Sequence, residues 1–299
     1  MRNAFGSWLA ANARDHNDLV LLSGDIGFGI FDEFREEFPD RFVNCGIAEQ
    51  NMIGTAAGMA AHGLRPIVYT IIPFLLHRPY EFIKNLIGHQ CQPVLLVGVG
   101  GGLAYDKLGF THFAREDLIL AATIPNLQIF IPYDPASVPT LFEAALSQKK
   151  PVYIRLMKGG ESVIKFLREK LPGAEHFAGK TQEYAFVTYG STTELCIMVR
   201  EELATSHNVH GSVFAITDPS RFDPNILDGF KAIVLVEEQV YPGISSHIFH
   251  KNRLPENLKM VHLDKNREYT VGSRDEILAR DGISREGLSK IVLETLRQK

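Results

Sequence analysis

The chain has 299 residues, of which 45% are hydrophobic and 22% are charged. This length and apolar content suffice for two ordinary globular domains with buried cores, which argues against extensive disorder. A formal net charge of -4 gives no sequence-wide basic field that would attract nucleic acid or anionic lipid. Three widely spaced cysteines without a C-x-x-C pair, and the lack of a signal-peptide or membrane-span pattern, favour a cytoplasmic protein with reduced thiols.

Short apolar runs alternate with helical patterns in the first half of the chain. The runs predict strands buried on both faces, and they lie at 19–24, 67–71, 93–99, 127–132 and 152–156. Helical stripes start at Ile53 and, after an Asp134-Pro135 helix start, at Val138. This alternation predicts a parallel sheet with helices on both faces, because parallel neighbours need long crossover connections.

A second alternating series follows. Its strand-like runs lie at 185–190, 212–216, 232–236 and 259–263. Ser191 and Glu194 have the spacing of a capping box, and the last helix is predicted after Ser284.

A stretch rich in charges, with Gly-Gly and Pro-Gly pairs, separates the two series and indicates a linker at 166–183. The fold class is therefore predicted to be α/β, with two three-layer α/β/α domains at 1–165 and 184–299. The first is expected to have a parallel sheet. The second is expected to be smaller, with a mostly parallel sheet.

The most informative segment is CGIAEQNMIGTAAGMAAHG at 45–63, where a glycine turn leads into a helix of small residues whose first turn contains Glu49. The helix dipole favours a carboxylate there, which alone would account for it. However, the G-I-A-E-Q part resembles the signature of the transketolase family. Further family-like segments follow in the same order: YTIIPFLLHRPYEFIKN, GVGGGLAYDKLGFTHFAREDL, IPNLQIFIPYDP and PVYIRLMKGGE. The resemblance spans nearly the whole chain and covers the pyrimidine-binding and C-terminal domains of that family.

This resemblance implies thiamine diphosphate as the cofactor, with Glu49 bonded to a ring nitrogen of its aminopyrimidine. That bond favours the imino tautomer, whose nitrogen can remove the thiazolium proton. Gln50 and Asp25, the latter after the first predicted strand, are further candidate cofactor contacts. The expected surroundings of Glu49 are a dry, apolar pocket.

An aromatic side chain is expected to stack on the aminopyrimidine. Phe74 is the first candidate, because the family's stacking residue lies in a similar stretch after a strand. A gapless count from Glu49 gives Ile72 instead, and Tyr80 is a second aromatic candidate.

Other residues are candidates for substrate binding. His112 in GFTHFARED matches the family's G-x-T-H histidine, which handles protons of substrate hydroxyl groups. The acidic residue usual four positions earlier is Leu108 here, with Asp106 only nearby. Arg2 and Lys158 match positions that are arginine in typical members, and they are candidates for binding a substrate phosphate.

The chain lacks the G-D-G motif and downstream asparagine with which the family holds the diphosphate and magnesium. Gly24-Asp25-Ile26-Gly27 followed by Asn51 imitates the spacing, but Ile26 replaces the essential glycine and Asn51 lies on the helix of Glu49. The resemblance to split bacterial transketolases therefore implies a separate diphosphate-binding subunit that holds most of the magnesium contacts. The implied assembly is α2β2, with self-association of this chain as a dimer and no metal site of its own.

The implied reaction is transfer of a two-carbon ketol unit from a ketose, phosphorylated or not, to an aldose. Two other enzymes remain open: the beta subunit of a 2-oxo acid dehydrogenase, and an enzyme like deoxyxylulose-phosphate synthase, which normally keeps three domains in one chain. A non-catalytic assembly subunit is a fourth interpretation, against which the presence of both Glu49 and His112 argues.

Overall fold

The computed structural model of the chain describes residues 1–248, 254–267 and 271–298. It divides into two compact units, one of Met1–Gly101 with Leu120–Ser162 and one of Gly102–Ile119 with Val163–Lys299. The three cysteines are free thiols. Within the described ranges, none of the helices combines the length and the apolar character that a membrane crossing requires.

The first unit contains a parallel sheet of six strands in the order β2-β1-β3-β4-β6-β5. The strands are β1 (Leu19–Ser23), β2 (Phe42–Asn44), β3 (Arg65–Ile71), β4 (Leu95–Val99), β5 (Gln128–Phe130) and β6 (Val152–Leu156). The predicted parallel sheet is confirmed, because all five strand pairs are parallel, and β1, β4 and β6 are buried along their whole length. The edge strand β2 was missed, since it is three residues long and partly exposed.

The helices up to residue 146 are α1 (Arg2–Asn12), α2 (Asp32–Glu37), α3 (Glu49–Ala61), α4 (Ile72–Leu76), α5 (Tyr80–Phe82), α6 (Asp117–Ala122) and α7 (Val138–Leu146). A π-helical segment, Ile83–His89, continues α5. The predicted helix start at Asp134 is confirmed, because its side chain accepts a hydrogen bond from the N–H of Ser137 in a capping box ahead of α7.

The carboxyl ends of β1, β2 and β3 lie on one edge of this sheet, because the three strands are parallel neighbours. Helix α3 follows β2 there, and α4 starts directly after β3. In open parallel sheets this edge is where ligands bind. The sheet thus brings the starts of α3 and α4 to the same edge.

The second unit contains a six-stranded, mostly parallel sheet in the order β12-β11-β9-β10-β8-β7. Its strands are β7 (Glu169–Leu171), β8 (Ala174–Phe177), β9 (Tyr184–Thr188), β10 (Gly211–Ile216), β11 (Ala232–Val240) and β12 (Leu258–Leu263). The segment 166–183, expected to be a linker, contains the antiparallel hairpin of β7 and β8, which pairs with β10. Its charged, short strands gave no apolar pattern. Although this domain was expected to be the smaller one, its sheet has as many strands as the first.

The remaining helices are α8 (Thr192–His207), α9 (Ser245–Ile248), α10 (Arg274–Arg280) and α11 (Arg285–Arg297). The predicted start of the last helix is confirmed, since Ser284 accepts a hydrogen bond from the N–H of Gly287. The predicted capping box of Ser191 and Glu194 is wrong. Ser191 makes no side-chain cap, because its hydroxyl instead accepts a hydrogen bond from Nη2 of Arg274 at 2.9 Å.

Candidate functional site

Glu49 is the first residue of α3 and is a buried acid, with 5% of its side chain exposed. A turn at Gly46, whose φ is +66°, leads from β2 into the helix. Helix α3 packs on the first sheet through the buried residues Met52, Ile53, Ala56, Ala57 and Ala60, which by their spacing share the helical face of Glu49. The carboxylate is therefore fixed at the carboxyl edge of the sheet, and the helix dipole favours its negative charge.

Arg78 is the ionic partner of Glu49. Its Nη1 donates to both carboxylate oxygens, at 2.9 Å from Oε1 and 3.0 Å from Oε2. The guanidinium carbon also lies 4.1 Å from the centre of the Phe74 ring. Sequence reasoning expected an apolar pocket around Glu49 and did not single out Arg78. The only signal for Arg78 in the sequence was its position four residues after Phe74, a spacing that places two side chains on one side of a helical turn.

An open cleft of about 450 Å³ adjoins this ion pair. Its lining residues are Ile47, Ala48, Glu49, Gln50, Asn51 and Arg78. The side chain of Arg78 is 46% exposed, so it is on the solvent side of the buried carboxylate. The planar guanidinium of Arg78 binds the buried carboxylate and lies over the Phe74 ring at the same time. A planar heterocycle with hydrogen-bonding nitrogens could make the same two contacts.

The three candidates for stacking differ in their surroundings. Phe74 is partly exposed and has the guanidinium of Arg78 over its ring. Ile72 is 0% exposed and packs toward the sheet, where a Cβ on Gly98 would lie 2.6 Å from its Cγ1. The hydroxyl of Tyr80 forms a 2.5 Å hydrogen bond with Oγ1 of Thr123. Of the three, Phe74 is the ring next to Glu49's ionic partner.

Asp25 follows the end of β1, as expected, and has a φ of +58°. Its Oδ1 accepts a 3.0 Å hydrogen bond from Nδ2 of Asn44, the last residue of β2. The exposed carboxylate therefore lies at the same sheet edge as the start of α3.

Arg2 and the turn after β6 are close together. Arg2 is the first residue of α1, and a Cβ on Gly159 would lie 3.5 Å from its Nε. Lys158 directly precedes Gly159 and is partly buried. The two candidate phosphate-binding cations, although far apart in the sequence, thus belong to neighbouring segments of the folded first unit.

His112 and Asp106 belong to the second unit. Nδ1 of His112 forms a 2.9 Å hydrogen bond with Oγ1 of Thr111, and the imidazole is edge-on to Tyr105 at 6.2 Å. The carboxylate of Asp106 accepts hydrogen bonds from the N–H groups of Lys107 at 2.8 Å and Arg274 at 2.9 Å. Asp106 therefore has a structural task beside any contact with a substrate.

Sequence reasoning also missed three consecutive polar residues at the end of β11. Glu237, Glu238 and Gln239 are all buried. Burial raises the pKa of Glu237 from its ordinary 4.5 to about 8, although the N–H groups of Ile244 and Ser245 oppose the shift. The apolar run AIVLV ends at Val236, so the sequence contained no signal that the polar residues after it are buried and need hydrogen-bond partners.

Comparison with known proteins identifies the family of the chain. Residues 1–160 match the family described as the pyrimidine binding domain of transketolase. The chain belongs to the transketolase family. This membership implies the use of thiamine diphosphate. Within the described residues, no group of three or more His, Cys, Asp or Glu side chains could hold a metal ion.

Several relatives of this transketolase-family chain are similar over its whole length. A subunit of the apulose-4-phosphate transketolase of Phocaeicola vulgatus is 27% identical over 99% of the chain and 97% of its own length. A structure described as a split gene transketolase, inactive beta4 tetramer, is 25% identical with a TM-score of 0.83, covering 99% of this chain and 98% of the other. 1-deoxy-D-xylulose-5-phosphate synthase of Clostridium perfringens is 28% identical over 98% of the chain, which spans 49% of that enzyme.

Proposed function

We propose that this chain is the pyrimidine-binding subunit of a split transketolase and supplies the glutamate that activates thiamine diphosphate. The observation that carries the proposal is the buried carboxylate of Glu49, held by a planar cation that also covers Phe74. An aminopyrimidine that bonds to the same carboxylate and stacks on the same ring would make the contacts that Arg78 makes here.

In the proposed reaction, bound thiamine diphosphate supplies a thiazolium carbon that becomes a nucleophile once its proton is removed. Glu49 shares a proton with the pyrimidine nitrogen, and its position at the start of α3 keeps the carboxylate in place. Phe74 orients the ring, while Arg78 leaves the carboxylate. His112 accepts or donates the proton of a sugar hydroxyl during cleavage and formation of the carbon–carbon bond.

The proposal includes a second polypeptide that holds the diphosphate and magnesium, because a relative that is matched over 97% of its own length is named as a separate transketolase subunit. We expect a heterotetramer with two copies of each subunit, in the cytoplasm, with magnesium held mainly by the partner. Two similar proteins support a split enzyme: one is named as a separate subunit of a transketolase, and the other as an inactive tetramer of beta chains.

The proposed substrates are a ketose donor and an aldose acceptor in carbohydrate metabolism. Similarity to an apulose-4-phosphate transketolase subunit supports a phosphorylated sugar, for which Arg2, Lys158 and Asp106 are the proposed contacts. Asp25, Gln50 and Tyr80 are proposed as secondary contacts of the cofactor.

The test uses the chain with a diphosphate-binding subunit that carries G-D-G and a downstream asparagine. We expect cofactor binding, exchange of the thiazolium C2 proton and ketol transfer only when both subunits are present. Glu49→Gln should slow C2 proton exchange by about 10²–10⁴-fold. The matched control is Glu33→Gln, which removes an exposed acid in the first turn of another helix and should change nothing. Wild-type exchange rates in Glu49→Gln would refute the role of this glutamate.

The same complex separates the other interpretations. Condensation of pyruvate with a triose phosphate would identify a deoxyxylulose-phosphate-synthase activity, and 2-oxo acid oxidation with an artificial acceptor would identify a dehydrogenase component. Failure to bind thiamine diphosphate with any partner would identify an assembly subunit.

A further inference from the structure

The segment 102–119, called the His112 loop below, is closed at its base and exposed at its tip. Gly102 and Ala114 exchange backbone hydrogen bonds at 3.1 Å and 2.8 Å. Between them, the tip contains two short turns, Asp106–Leu108 and Phe110–His112, with Leu108 and Phe110 exposed. The placement of His112 therefore depends on what holds the base.

Glu238 of β11 holds the start of the loop. Its Oε1 accepts hydrogen bonds from the N–H of Leu103 and from Nε of Arg274, both at 2.8 Å, and its Oε2 accepts one from Nη2 of Arg274 at 2.5 Å. The backbone N–H of Arg274 donates to Oδ2 of Asp106 at 2.9 Å. One partly buried ion pair, Glu238 with Arg274, thus fixes the loop at two places before His112.

Gln239 holds the end of the loop. It is 0% exposed, and its Nε2 donates to the carbonyl of Ala114 at 2.8 Å and to Oδ1 of Asp117. Its Oε1 accepts the N–H of Leu118 at 3.4 Å. The next residue, Val240, donates its N–H to the carbonyl of Arg115 at 3.0 Å. Consecutive residues of one strand therefore bind both sides of the loop.

The polarity of these two side chains has a physical consequence. A buried polar group is costly unless it is hydrogen-bonded, and a fully bonded network is rigid. An apolar pair would fill the end of the strand equally well but would give the loop no fixed position. The bonds of Glu238 and Gln239 are directed to the loop and to Arg274, which itself binds Asp106.

We propose that Glu238 and Gln239 are positioning residues for His112, which belongs to the same unit. This inference rests on the proposed function, which gives His112 a substrate. Neither side chain has to touch that substrate. The two side chains act on the rate of ketol transfer, because a displacement of a catalytic group by about 1 Å can lower a rate about 10²-fold even when it originates away from the reacting atoms.

The test compares Glu238→Gln and Gln239→Glu, both nearly isosteric, with Glu237→Gln in the assembled complex. Glu238→Gln removes the charge that pairs with Arg274. Gln239→Glu can no longer donate to Ala114 and sets a carboxylate against Asp117. The control, Glu237→Gln, changes a neighbouring buried acid whose hydrogen bonds go to Ile244 and Ser245.

Four quantities are measured on each variant: amide hydrogen exchange, kcat/KM for ketol transfer, the Kd of thiamine diphosphate and the rate of C2 proton exchange. Hydrogen exchange of the Leu103 amide should accelerate in Glu238→Gln and that of Leu118 in Gln239→Glu, whereas the control should match wild type. The kcat/KM for ketol transfer should fall about 10–100-fold in both, with the Kd of thiamine diphosphate and the C2 proton exchange rate unchanged.

Unchanged amide exchange, or unchanged ketol transfer, would overturn the inference. A loss of cofactor affinity equal to the loss of transfer would also overturn it, since a general structural defect moves both. If the wild-type complex transferred no ketol unit, the proposed function would fail, and the amide exchange rates alone would decide whether the two side chains hold the loop.

Discussion

Arg78 binds Glu49 through a single nitrogen, with Nη1 at 2.9 Å and 3.0 Å from the two carboxylate oxygens. The same guanidinium lies over the Phe74 ring. A ring that bonds to Glu49 and stacks on Phe74 therefore has to displace Arg78. The ion pair competes with the proposed cofactor for the same carboxylate.

Arg78→Ala should tighten thiamine diphosphate binding in the complex. A half-exposed ion pair is worth about 1 kcal/mol, so its removal predicts an affinity about fivefold higher. The variant chain alone should also be less stable, because a buried carboxylate loses its partner. Calorimetric titration and urea unfolding measure the two effects. Arg35→Ala, which breaks an exposed pair with Asp32 at 3.5 Å, is the control for both. Weaker binding in Arg78→Ala would mean that the guanidinium supports the cofactor.

The role of Arg78 shows where sequence reasoning reached its limit. The apolar runs predicted the buried strands, and the family signature predicted the position of Glu49 at a helix start. The pairing with Arg78 joins residues 29 positions apart, so it depends on how α4 ends relative to the start of α3. No local pattern encodes that approach.

The second unit gives a similar lesson. Its strand β11 was predicted as far as residue 236, because the apolar run ends there. The strand continues through Glu237, Glu238 and Gln239, each of which forms hydrogen bonds with other segments through its side chain. Periodicity arguments treat such residues as the end of a strand, since they cannot foresee the partners that offset the cost of burial.

Phe74→Ala should mainly lower the affinity for thiamine diphosphate, whereas Ile72→Ala should mainly lower the stability of the fold. Loss of the Phe74 ring should weaken thiamine diphosphate binding about tenfold, because stacking of aromatic rings contributes about 0.5–1.5 kcal/mol beyond area burial. Ile72 is fully buried against Gly98, so its truncation should cost about 2–5 kcal/mol of stability with little change in cofactor affinity. Titration with the cofactor and urea unfolding distinguish the two. The reverse pattern would assign stacking to Ile72's position.

Glu237 should make the chain less stable as the pH rises. Burial raises its pKa from 4.5 to about 8, so the folded state keeps a proton that the unfolded state has lost. The stabilisation is present in full below about pH 4.5 and is lost as the pH rises to about 8. Its slope between these limits is at most about 1.4 kcal/mol per pH unit. Urea unfolding of wild type and Glu237→Gln from pH 5 to 8 measures the difference between their free energies of unfolding. This difference should shift in favour of the variant at high pH. Parallel curves would show that Glu237 does not titrate in this range.

Gly102→Ala should loosen the His112 loop without removing any polar group. Gly102 has a φ of +59°, and a Cβ there would overlap Cδ and Cγ of the buried Glu238. Backbone strain at the alanine and overlap of its Cβ with the Glu238 side chain would both displace the base of the His112 loop. We therefore expect faster amide exchange at Leu103 and reduced ketol transfer. Gly282→Ala is the matched control, because its φ is +81° but its Cβ would meet only Val261 at 3.8 Å. The control should show the stability loss of about 1–2 kcal/mol expected for a left-handed alanine, with exchange at Leu103 unchanged. Equal exchange rates at Leu103 in the two variants would mean that contact with Glu238 does not fix the loop.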